Sequence, residues 1–139
     1  MSKFGFVSML SVVSLLTACG SNDTASYMID GSSSRAFTMF RNKSYPGADW
    51  EPDLAVTSLP DCQRRHKLSP VDSGKDFKAE LYADGEGLHV LHVGKAWYQI
   101  ELASCKLQSM KAVPAAPGDI VGSWDEREGK LKFFPAKKQ

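Results

Sequence analysis

Alternation of apolar and polar side chains is clearest between Asp76 and Leu102. Phe77, Ala79, Leu81 and Ala83 alternate with Lys78, Glu80 and Tyr82, the period-two pattern of a half-buried strand. Asp84-Gly85-Glu86-Gly87 supplies hairpin-turn residues. Leu88–Val93 is apolar on both faces apart from His89 and His92, which predicts a central strand. Gly94-Lys95 turns the chain. Ala96–Leu102 then returns with Trp97, Gln99 and Glu101 opposite Tyr98, Ile100 and Leu102. Three such strands joined by tight turns predict an antiparallel meander.

The flanks repeat the pattern less cleanly. Arg35–Arg41 alternates loosely and is rich in aromatics, which suits a strand. Tyr45-Pro46-Gly47 and Glu51-Pro52 are turn signals on either side of Trp50. Leu54–Leu59 predicts a second strand and Pro60-Asp61 a turn. Cys62–Leu68 is compatible with a strand or with one helical turn. Ser69–Lys75 is loop. Pro114-Ala115-Ala116-Pro117-Gly118 breaks the chain before a last hairpin, Ile120–Asp125 and Leu131–Phe134 across the polar turn Glu126–Lys130. The expected fold is mainly β: about seven short antiparallel strands in a small sandwich or barrel. The expected domain covers 35–135, with 136–139 as a tail.

The first residues belong to a different class of segment. Lys3 is a short basic n-region, and Phe4–Leu16 is a mostly apolar run of about 13 residues. Spanning a bilayer takes about 20. The run ends in Leu16-Thr17-Ala18-Cys19. That tetrapeptide resembles the bacterial lipoprotein signal: a leucine, two small residues, then the cysteine that is lipidated and becomes the mature N-terminus. The resemblance covers the first fifth of the chain. It implies a signal peptide over 1–18, a diacylglyceryl thioether on Cys19 and usually a third, palmitate-like chain on its amine. Each buried methylene contributes ~0.8 kcal/mol, so two or three chains hold where one would not. Residue 20 is glycine rather than the aspartate that commonly retains such proteins in the inner membrane. The expected location is therefore the outer membrane, with the domain facing the periplasm. Residues 19–34, small and polar except for Tyr27-Met28-Ile29, read as a lipidated flexible tether.

Charge and cysteines narrow the partners. Lys3 is the sole charged residue of the signal, and its loss leaves basic and acidic side chains in balance. A neutral chain lacks the basic excess that nucleic acid demands. Beyond Cys19 the chain holds Cys62 and Cys105. Export places both in an oxidising space, which predicts a disulfide.

Candidate chemistry is sparse. His89-x-x-His92 resembles half a metal site, but on a strand the two rings point to opposite faces. Cys62-x-x-x-His66 on a strand would separate its ligands by ~13 Å, too far for one ion. Metal ligands and cofactors are therefore not expected. Arg64-Arg65-His66-Lys67 is the one dense basic run. Arg64, Arg65 and Lys67 could grip a phosphate, a carboxylate or an anionic sugar; the bland alternative is a solvated edge strand whose charge deters pairing. Gly122-Ser123-Trp124 resembles the Gly-x-Trp signature of lipocalins. It lies near the C-terminus instead of in a first strand, so Trp124 reads as a core or hairpin aromatic. No catalytic frame such as Gly-x-Ser-x-Gly, Ser-x-x-Lys or His-Glu-x-x-His is present. The sequence thus points to a non-enzymatic envelope lipoprotein that binds or braces another envelope component, protein or glycan. A carrier or chaperone for apolar ligands, with Tyr45, Trp50 or Phe133-Phe134 at its mouth, is the alternative. A hydrolase ranks third.

Overall fold

In a computed structural model, residues 21–74 and 76–137 are described. The expected signal segment, Cys19 and the last two residues lie outside them. Ten strands alternate with turns: β1 (Ser21–Met28), β2 (Arg35–Lys43), β3 (Glu51–Ser58), β4 (Cys62–Lys67), β5 (Lys78–Ala83), β6 (Leu88–Val93), β7 (Ala96–Glu101), β8 (Lys106–Met110), β9 (Asp119–Arg127) and β10 (Lys130–Pro135). They form two antiparallel sheets, β1-β2-β3-β4 and β10-β9-β5-β6-β7-β8. The sheets stay separate. The fold is a sandwich, not a closed barrel.

The meander forms as its alternation predicts. Leu91 lies opposite Leu81 on β5 and Tyr98 on β7. This face turns inward and packs Ala79, Leu81, Leu91, Val93, Tyr98 and Ile100 against Phe37, Met39, Leu54 and Val56 of the smaller sheet. Trp124 fills the centre with no exposed surface, which settles it as a core aromatic. Its indole N–H donates to the Ala25 carbonyl at 3.0 Å, joining the two sheets. Gly122 is required beside it. A Cβ there would sit 2.5 Å from both Phe133 Cζ and the Phe134 carbonyl oxygen.

Three expectations need correction, and one open alternative is settled. The expected tether contains β1, which pairs along its whole length with β2, Ser21 to Lys43 through Met28 to Ala36. Its polar composition hides an inward stripe: Ala25 and Tyr27 pack on the core, and Asp23 meets the buried Arg41. The folded unit therefore starts at Ser21 rather than residue 35. Residues 62–67 settle as a strand, paired from Ser58↔Cys62 to Asp53↔Lys67. Lys106–Met110 is an additional strand at a sheet edge, where one apolar contact, Leu107, suffices. Pro52 lies inside β3 instead of in a turn; it is fully buried, and its carbonyl accepts the Leu68 amide at 2.9 Å.

The strand directions give the sandwich two distinct poles. At one lie the start of β1, the Lys43–Trp50 connection, the 68–77 loop, the Gly94-Lys95 turn and the Glu128-Gly129 turn. At the other lie Ile29–Ser34, Pro60-Asp61, the Asp84–Gly87 turn and the 102–105 turn. Cys62 and Cys105 are bonded at this second pole, with Cα atoms 6.0 Å apart, as predicted. The bond ties edge strand β4 to the β7–β8 turn, and so one sheet to the other.

Candidate functional site

An open groove of about 680 Å³ lies at the first pole, on the outward side of the larger sheet. Alternation on β5 turns Lys78 and Glu80 outward, away from core residues Ala79 and Leu81. Alternation on β6 does the same for His92, between Leu91 and Val93. Lys95 stands at the tip of the adjoining hairpin. The opposite wall is made by residues 69–72 and Asp76, with Asp49 beside them. That wall is pinned. Trp50 and Val71 exchange backbone hydrogen bonds of 2.8 Å in both directions, and the Tyr98 hydroxyl accepts the Ser69 amide at 2.8 Å. Gly94 packs close to the Val71 side chain: a Cβ there would lie 3.5 Å from it.

The groove floor continues into a polar–aromatic row. The Tyr82 hydroxyl donates to Glu80 Oε2 at 2.7 Å, while Glu80 Oε1 faces His92 Nδ1 at 3.8 Å. The His92 ring stacks on Trp97, centroids 4.0 Å apart and planes 8° apart. Tyr82 stacks beside the same indole at 6.2 Å. Burial, the hydrogen bond to Glu80 and its negative charge together push the Tyr82 hydroxyl up to about 12, so it stays a donor. The row arises because Glu80 faces His92 and His92 faces Trp97 in strand register. The sequence pattern sets Glu80 and Tyr82 against the apolar positions of their strand, Trp97 opposite Tyr98, and His89 and His92 on opposite faces, without joining these residues; the joining depends on cross-strand register, set by the Gly85 and Gly94 turns.

The remaining histidines lie away from the groove. His66 Nε2 lies 2.7 Å from the Cys105 carbonyl oxygen. His89 sits on the inward face, edge-on to Phe37 at 4.9 Å, as far from the His92 side as the sheet allows. Burial, and secondarily the Arg35 charge, lower its pKa. Among the described residues no group of three or more His, Cys, Asp or Glu side chains could hold a metal ion.

The basic run is split by the strand. Arg65 and Lys67 turn to the outer face of the smaller sheet, and Arg64 to the inner side of the edge. Arg65 pairs with Asp53 at 2.8 Å and covers the Phe40 ring at 3.9 Å. Half exposed, such a pair is worth about 0–1 kcal/mol. Strand β4 is an edge, where charge deters further pairing. Of the residues expected at a carrier's mouth, Trp50 is buried beneath Arg41, Phe133 stacks between Tyr27 and Trp124, and Arg127 covers the Phe134 ring, whereas Tyr45 is 62% exposed.

Neither a protein-family model, nor a curated protein, nor a solved structure matches the chain.

Proposed function

We propose that the chain is a non-enzymatic envelope lipoprotein, acylated on Cys19 and seated in the outer membrane, whose β-sandwich holds another envelope component in the groove at its first pole. The observation that carries this reading is the nearness of β1 to Cys19. Strand β1 begins at Ser21, two residues after the lipidated position. Two residues reach at most about 7 Å. The groove opens at the pole where β1 begins, so the acyl anchor holds it against the envelope layer that the chain occupies. Its lining of lysines, carboxylates and one imidazole suits a polar, charged occupant.

Replacing Lys95 by a photoreactive amino acid in intact cells tests the reading. An adduct to an envelope component is expected from position 95 and none from position 61, at the opposite pole. Equal labelling from both positions, or none from either, would contradict it.

A further inference from the structure

We infer that the component held in the groove is the headgroup of a zwitterionic phospholipid in the same bilayer that carries the anchor. The inference rests on the lipoprotein reading and narrows it. Reach comes first. With Gly20 as the one residue between Cys19 and β1, the first pole cannot rise from the headgroup layer as a domain on a long tether could. The groove lies at that pole, walled by the Lys43–Trp50 and 68–77 connections.

Charge comes second. Lys78 and Lys95 share the lining with Asp49, Asp72, Asp76 and Glu80. Among the described residues, no ion pair engages Lys78, Lys95, Asp49, Asp72 or Asp76. Both signs are therefore presented to a ligand within one concavity. A headgroup with a phosphate and a primary ammonium satisfies both: lysines take the phosphate, carboxylates the ammonium. A purely anionic headgroup would leave the carboxylates facing like charge. Glu80 is already held by Tyr82 and one Asp72 oxygen accepts the Gly74 amide at 2.8 Å, which leaves Asp49, Asp76 and the second Asp72 oxygen as the ammonium side.

The test uses the full acylated chain in bilayer discs of phosphatidylethanolamine, with hydrogen exchange read at segments 72–74 and 94–95. Intact mass first establishes the acyl chains; their absence would defeat the anchor reading separately. Exchange at both segments should slow at least tenfold relative to the unacylated Cys19→Ala chain in solution. Segments 60–61 and 84–87, at the far pole, should be unchanged. The double variant Lys78→Glu, Lys95→Glu, with both side chains exposed and core exchange as the folding control, should return the groove to its solution rate. An acylated chain whose groove exchanges at the solution rate would overturn the inference. So would undiminished protection in the double variant, or equal protection on phosphatidylglycerol discs.

Discussion

Ser21 pairs with Lys43, so the β-sheet begins two residues beyond Cys19. The segment that composition marks as a tether is thus a wall of the domain. Deleting residues 21–28 should abolish cooperative thermal unfolding, because it uncovers Met39 and Phe37 and strips Arg41 of Asp23. A tether would leave the melting temperature unchanged. Calorimetry of the two lengths decides.

Arg41 is the second pressure point. Its side chain is 1% exposed, with Asp23 and Glu126 each at 3.3 Å, the Gly129 carbonyl at 3.3 Å and the Trp50 ring at 4.1 Å. The cluster locks β1 and β2 to the β9–β10 hairpin, since Asp23 also accepts the Leu131 amide. Arg41→Ala leaves two carboxylates without their cation and opens space under Trp50. A loss of about 3–5 kcal/mol is expected in urea titration. A loss below about 1 kcal/mol would show that the cluster is incidental.

The disulfide carries a further share. Cys62→Ser with Cys105→Ser should cost roughly 2–5 kcal/mol, mainly by freeing the unfolded chain. Native thiol titration should find neither cysteine reactive.

His89 sets a pH dependence. Its folded pKa is lower than the ordinary 6.5, first through burial and then through Arg35. The unfolded chain therefore binds the proton more readily. His89 contributes full stability above about pH 6.5, and that contribution falls as pH drops through the folded value. His89→Gln should flatten the stability profile below pH 6.5. An unchanged slope in the variant would assign the acid loss to other groups.

The legible part of the fold was the part with long alternation. Phe77–Leu102 is legible in its strands and turns from spacing because one face is apolar apart from His89. Strand β1 escaped because its inward positions are Asp23, Ala25 and Tyr27, and a carboxylate on an inward stripe makes sense only beside Arg41, 18 residues away. Strand β8 escaped because an edge needs little apolar surface. Both cysteines were legible from the expected compartment and from parity. The groove was not, since it depends on how the 69–76 loop folds back against Trp50, a contact that local pattern does not carry.

Gly122→Ala tests the packing at the sandwich centre. The added methyl would strike Phe133 and the β10 backbone. A cost of about 1–3 kcal/mol is expected by equilibrium unfolding; a neutral effect would mean that β9 and β10 separate freely.

The most direct test of the account is the intact mass of the protein extracted from its own membrane. The account predicts a chain beginning at Cys19, carrying a diacylglyceryl group and an amide-linked acyl chain, and shifting to an unacylated form in Cys19→Ala. A membrane-extracted chain with an unmodified Cys19, or one beginning elsewhere, would contradict it.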